Sequence, residues 1–297
     1  MESVPLIRVM VRRPSLQDIR EQTYKARDAW WTVLLVDPLA ARLVRLVAPY
    51  RWITPNVLTI LAMLLGVGSA ACFLAQDRWW LIAGAALFHL SFVVDCMDGK
   101  IARLNGTGSM FGAWFDFMFD RLRVFMCAAA LFGGQYAKTG HVAFLWTLAV
   151  VTFLDLFRYL NSQQMTKTRQ SMRDLLEEAR GPEPEEPPTG TPTPPRGAKA
   201  RLREALLQRR IRTHLFSGIE FEMTVFIIGP LTGQVIATSI IAGTLLVAFE
   251  LLLILRLWQA TRGFPAALAK AQATAAMRKE PPARPETRDE DLEFSDQ

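Results

Sequence analysis

Asp95-Cys96-Met97-Asp98-Gly99-Lys100-Ile101-Ala102-Arg103, followed after eight residues by Gly112-Ala113-Trp114-Phe115-Asp116-Phe117-Met118-Phe119-Asp120, is the stretch that decides how this chain folds. Apolar runs long enough to span a bilayer lie on both sides of it. Carboxylates at membrane depth are expensive and point to a functional site by default. Asp95 and Asp98 are three positions apart and share one helix face, and Gly99 and Ala102 continue that stripe. Gly112, Asp116 and Asp120 step by four along a second helix. If the stripes face each other, four carboxylates converge beside residues small enough for a backbone or ligand to come close. Oxygen ligands with no His or Cys among them suit Mg²⁺, Mn²⁺ or Ca²⁺ rather than zinc. Four carboxylates can hold two such ions, a recurring device for phosphoryl transfer. Arg103 at the edge of the site reads as a phosphate clamp.

Working outward, hydrophobic residues make up 51% of the 297 positions, although the chain carries 34 basic and 28 acidic residues. The two populations are segregated. Six apolar spans are expected, at about 55–75, 79–97, 109–133, 142–161, 215–234 and 236–258. The fold class is therefore all-α: a polytopic membrane protein of six transmembrane helices with an N-terminal amphipathic surface helix. The Lys/Arg count alternates: nine in the first 53 residues, one before span two, one (Lys138) after span three, eleven over 162–214, none between spans five and six, and six after Trp258. The connection between spans two and three, with Lys100 and Arg103, is basic. This alternation puts both termini and the carboxylate cluster on the cytoplasmic side. A net charge of +6 is answered by an anionic lipid surface and calls for no nucleic acid. The charged N-terminus shows no cleavable signal peptide.

Residues 1–53 are read as a cytoplasmic amphipathic region, with a surface helix from Asp18 to Val36 and the pair Trp30-Trp31 at headgroup depth. Trp79-Trp80 reads as an outer-face anchor. Residues 54–260 form the catalytic membrane domain, interrupted by a Pro-rich cytoplasmic loop at about 178–199 that cannot fold alone. Arg201–Arg212 reads as a basic helix, and 261–297 as a partly disordered tail with its last fifteen or so residues mobile. Three cysteines without a CxxC argue against a disulfide framework or a zinc site, and Cys96 is expected only to pack. His89 is expected to be a hydrogen-bonded core histidine, and Glu250 to have a partner such as an arginine. Of Arg121 and Arg123, one should balance the carboxylates and the other snorkel or pair elsewhere. Arg158, Arg212, His214 and Glu220 are candidates for holding an acceptor. Glu220 and Glu222, two apart, cannot both face one site.

The pattern Asp-x2-Asp-Gly-x2-Ala-Arg-x8-Gly-x3-Asp-x3-Asp resembles the signature of the CDP-alcohol phosphotransferases, with all eight fixed positions matched. At about one in twenty per position, a chance match in one chain is on the order of 10⁻⁸. Pro55-Asn56-Val57-Leu58-Thr59 is similar to that family's entry into its first membrane helix, and the likeness extends over roughly Tyr50 to Trp258. The resemblance implies a CDP-linked donor, either CDP-diacylglycerol or a CDP-alcohol, a hydroxyl acceptor, release of CMP, and a homodimer in the bilayer. By position it implies that Asp95, Asp98 and Asp116 ligate Mg²⁺ or Mn²⁺. Asp120 becomes the general base, also touching the second of two ions. Asn56, Thr59, Asp95, Gly99, Ala102, Arg103 and Gly112 would line the CDP pocket. The rival reading is a cation transporter using the carboxylates as an ion site; it leaves the glycines, Arg103 and the Pro-Asn element unexplained. A degenerate scaffold is disfavoured by the intact pattern.

Overall fold

The computed structural model describes residues 14–181 and 197–279. Among the described residues it is all-helical, with no strand. The elements are α1 (Leu16–Thr23), α2 (Asp37–Val47) preceded by a π-helical turn (Thr32–Val36), α3 (Pro55–Ala75), α4 (Arg78–Asn105), α5 (Met110–Thr139), α6 (Ala143–Arg180), α7 (Ala198–Gln208), α8 (Gly218–Met223), a second π-helical turn (Thr224–Ile228), α9 (Gly229–Thr232) and α10 (Val235–Lys279). The expected Pro-rich loop falls largely on 182–196 and the mobile tail on 280–297, both outside the described residues.

Two compact units divide the chain. The first comprises Met1–Asn161 with Thr193–Leu253, and the second Ser162–Pro192 with Ile254–Gln297. In the second, Met165 and Ala271 are buried. Everything that concerns the site lies in the first.

Local chemistry sets the helix ends that matter. Thr54 caps α3 by accepting from the Val57 amide, and Pro55 fills the first helical position, where a missing N–H has no cost. α4 stops at Gly106, whose φ of 62° ends the helix in a left-handed cap. Ser109 then opens α5 by accepting from the Gly112 amide at 2.9 Å. Only four residues separate α4 from α5, and the carboxylates of one come within reach of those of the other. α3 packs along both. The core between them holds Phe73, Phe88, Val93, Val124 and Leu131, with Phe88 and Phe226 at 4.7 Å between ring centroids. At Gly66 of α3 a β-carbon would lie 2.5 Å from Arg123 Cγ, so this glycine gives the aliphatic stem of Arg123 its path.

Among the described residues, four helices are long and apolar enough to cross a membrane: Pro55–Ala75, Arg78–Asn105, Ala143–Arg180 and Val235–Met277. The chain is an integral membrane protein. Of the other two expected spans, α5 is long enough but carries Asp116, Asp120, Arg121 and Arg123 close together. The stretch 218–232 is short and broken by a π turn. The N-terminal region also departs from expectation. The single amphipathic helix from Asp18 to Val36 is two helical pieces, because the chain leaves helical geometry at 24–28 to pair with a distant segment. The helix expected over Arg201–Arg212 ends at Gln208 for the same reason, and the last predicted span continues as helix to Lys279. Trp30 donates through Nε1 to the Leu215 carbonyl at 2.9 Å, and Trp31 packs on His89 at 6.1 Å, so both rings contact protein.

Candidate active site

Asp95 and Asp98 of α4 and Asp116 of α5 each bring a carboxylate oxygen within 4.8 Å of the others. Thr59 on α3 donates its hydroxyl to Asp98 Oδ2 at 2.6 Å and fixes that carboxylate. The donor set is all oxygen and acidic, which fits a hard divalent cation.

Asp120, one turn further along α5, stands differently. It is paired with both Arg121 and Arg123. Arg123 also reaches Asp95 at 3.3 Å and donates to Ser91 Oγ at 3.1 Å, so one guanidinium bridges α4 and α5. Arg121 donates to Asp155 at 2.5 Å and to Glu222 at 3.1 Å, and its guanidinium lies 3.7 Å from the Tyr159 ring centroid. Both arginines therefore point into the acidic cluster, and neither snorkels. Asp155 and Tyr159 escaped the sequence reading. Asp155 is a lone acid in an apolar run, the signal that drew attention to Glu250, and it went unread. Glu222 was noticed only together with Glu220.

A cavity of about 600 Å³ opens on one side of the carboxylates. Asn56, Thr59, Gly99, Ala102, Arg103 and Gly112 all line it, together with Asp98 and Asp116. Asp95 instead lines a second, smaller cavity of about 240 Å³, and Asp98, Gly99, Arg103 and Asp116 border both. Arg103 is steadied there by donating Nε to the Thr23 carbonyl at 2.8 Å.

The proposed acceptor residues lie elsewhere, and none of the four lines either cavity. Arg158 is 3.8 Å from Glu250, which also accepts from Asn161 at 2.7 Å. Glu250 thus has the kind of partner expected of it. Arg212 pairs with Asp28 at 3.5 Å, His214 stacks on Phe249 at 4.9 Å, and Glu220 accepts from Ser217 at 2.7 Å. Glu222, not Glu220, joins the Arg121 network. Cys96 borders the smaller cavity. His89 is half-buried, with Nδ1 lacking a hydrogen-bond partner, unlike the bonded core histidine expected.

The fold and these side chains define an integral membrane protein with three clustered carboxylates that border two cavities. Residues 52–177 match the model of the CDP-alcohol phosphatidyltransferase family. A CDP-diacylglycerol–glycerol-3-phosphate 3-phosphatidyltransferase of Cereibacter sphaeroides is 39% identical over 84 residues, which is 28% of this chain and 38% of that protein. A phosphatidylinositol phosphate synthase of Corynebacterium glutamicum is 35% identical over 100 residues, 34% of this chain and 41% of its own. An archaetidylinositol phosphate synthase of Pyrococcus horikoshii is 38% identical over 81 residues, 27% of this chain and 40% of its own. The match spans less than half the length of each of these relatives.

Proposed function

We propose that this protein is a membrane enzyme that moves a substituted phosphate from a CDP-linked donor to a hydroxyl acceptor and releases CMP, in phospholipid or polar-headgroup biosynthesis. The observation that carries this is the meeting of three carboxylates, within 4.8 Å of one another, at the wall of a cavity lined by every cytidine-pocket residue of the signature except Asp95. A cation site alone needs no such cavity; a nucleotide donor does.

Asp95, Asp98 and Asp116 would hold divalent ions, Mg²⁺ or Mn²⁺. Six clustered carboxylates (Asp95, Asp98, Asp116, Asp120, Asp155 and Glu222) against the guanidiniums of Arg121 and Arg123 leave an excess of four negative charges. Two divalent cations match that excess. When bound, such ions screen the pyrophosphate and the departing CMP. Asp120 takes the proton of the attacking hydroxyl while Arg121 and Arg123 hold it in place. As the new oxygen–phosphorus bond forms, the bond from that phosphorus to the bridging oxygen of the pyrophosphate breaks, and CMP leaves with that oxygen. Arg103, anchored by Thr23, meets the donor's phosphates. Alignment and charge stabilisation supply most of the acceleration.

The reading includes six membrane spans, with α5 and the 218–232 stretch crossing alongside the four apolar helices. Their charged groups pair inside the bundle. It also includes a cytoplasmic site and termini, and a homodimer. The test is CMP release by purified protein with Mg²⁺ or Mn²⁺, CDP-linked donors and hydroxyl acceptors. Asp120→Asn should lower it by about 10²- to 10⁴-fold, the share of a positioned proton acceptor. Metal binding without any affinity for CDP would favour the transporter reading instead.

A further inference from the structure

The smaller cavity has an outer wall that comes from outside the family-matched segment. It is built from the N-terminal arm, through Lys25, Asp28, Thr32 and Asp37. The arm is held down from two directions. Asp37 is buried between Lys100, at 2.9 Å, and Arg210, at 3.2 Å. Asp28 pairs in parallel with Ile211, taking Arg210's carbonyl with its own N–H at 2.8 Å and giving its carbonyl to the Arg212 N–H at 2.9 Å.

That last bond has a consequence at Thr32. A helical threonine usually returns its hydroxyl to the carbonyl four positions back, as Thr23, Thr139, Thr147 and Thr166 do here. For Thr32 that carbonyl belongs to Asp28, which lies outside the helix in the stretch drawn to Arg212, and the Thr32 hydroxyl makes no bond to it. Thr32 opens the π turn, a device frequent at functional sites. It is 3% exposed, its Oγ1 has no hydrogen-bond partner, and it faces the cavity that ends at Asp95, Asp98 and Asp116. A buried hydroxyl without a partner is a vacancy for a ligand's polar group.

Resting on the phosphotransfer reading, we propose that the smaller cavity binds the acceptor alcohol. One acceptor hydroxyl is presented to the carboxylates, and a second is hydrogen-bonded by Thr32. The acceptor class is a small polyhydroxylated alcohol, free or phosphorylated. At about 240 Å³ the space lies below the usual range of about 300–1,000 Å³ for drug-sized ligands, and its walls are charged. A diacylglycerol does not fit it. On this assignment the lipid belongs to the donor, at the larger cavity.

The experiment uses the full-length protein in detergent with a divalent cation. CDP-diacylglycerol is paired with glycerol 3-phosphate, myo-inositol and a myo-inositol phosphate, and CDP-ethanolamine with diacylglycerol. CMP release gives kcat and KM for donor and acceptor in the wild type, Thr32→Val and Thr32→Ser. A polyol or its phosphate should be used. Thr32→Val should raise its KM about 5- to 30-fold, the effect of one lost hydrogen bond, with donor KM and kcat within about twofold. Thr32→Ser should restore most of the loss. An acceptor KM unchanged in an active Thr32→Val enzyme overturns the assignment and leaves the phosphotransfer reading intact. So does a donor KM that rises in step, or turnover only with diacylglycerol as acceptor. Absence of CMP release from every pair overturns both.

Discussion

Asp98 owes its orientation to one hydroxyl, that of Thr59 on the neighbouring helix. Partners of this kind behind a ligand typically change metal affinity or activity by about 10- to 100-fold when removed. Thr59→Val should weaken Mn²⁺ binding by that order, read by titrating the paramagnetic signal of the free ion. Arg123 answers Asp95 and Asp120 together, so Arg123→Met leaves the partly buried Asp95 without its cation and Asp120 with Arg121 alone. Breaking a buried pair from one side costs about 3–5 kcal/mol. The variant should unfold at lower temperature than the wild type in detergent, and Mg²⁺ should recover more of its stability than it adds to the wild type. A thermal-shift series with and without Mg²⁺ measures both. At this scale the two aspartate stripes were legible because helical spacing repeats within ten residues. Asp155 and Glu222 were not, because Arg121, which gathers them, lies 34 and 101 positions away and nothing local records the meeting.

The turn between α4 and α5 is the element on which the site depends. Ser109 caps α5 and lines the larger cavity, as does Gly112, whose amide it accepts. Ser109→Ala should cost about 1 kcal/mol of stability, the usual value of an N-cap, and should also raise the donor's KM. Gly66→Ala pushes a β-carbon into the stem of Arg123. Overpacking of this kind costs about 1–3 kcal/mol. Because the displaced arginine holds Asp95 and Asp120, CMP release should fall by more than the loss of folded protein, which thermal unfolding run beside the assay will show. The caps at Thr54, Gly106 and Ser109 follow from residue type. The π turns do not, because they carry no composition of their own. The break at 24–28 arises from pairing with residues 210–212, and the amphipathic pattern around Asp18–Val36 gives no sign of that partner.

At the scale of the whole molecule, hydropathy and charge lead to different numbers of crossings. Four helices pass on length and apolarity alone. The proposed six require α5 to cross with its charges turned inward and the 218–232 stretch to cross in pieces. Cysteines placed at Lys138 and Gln234 should then react with an impermeant maleimide from outside the cell, and one at Arg169 only after permeabilisation. The native Cys72 and Cys127 are buried, and Cys96, which borders the smaller cavity, is replaced by serine in the background for the labelling. Labelling of Gln234→Cys from the same side as Arg169→Cys would remove the fifth crossing. The bundle was legible from apolar run length, and the position of the acidic site from its spacing. The division of that site into a larger and a smaller cavity was not, since the smaller one needs a wall from residues 25–37 that shows no motif.

Arg210 reaches the Lys25 carbonyl across 185 positions, and Asp37 and Asp28 depend on the same far segment. On the ribosome, the N-terminal arm is made early and its clasp late. Four long helices, α3 to α6, are synthesised between them. Until residues 210–212 emerge, only Lys100 on Asp37 and Arg103 on the Thr23 carbonyl hold the arm, and the wall it gives the smaller cavity lacks its far support. If the proposed roles hold, a nascent chain arrested before residue 210 should already bind a divalent cation through Asp95, Asp98 and Asp116 while its acceptor cavity still lacks a braced wall.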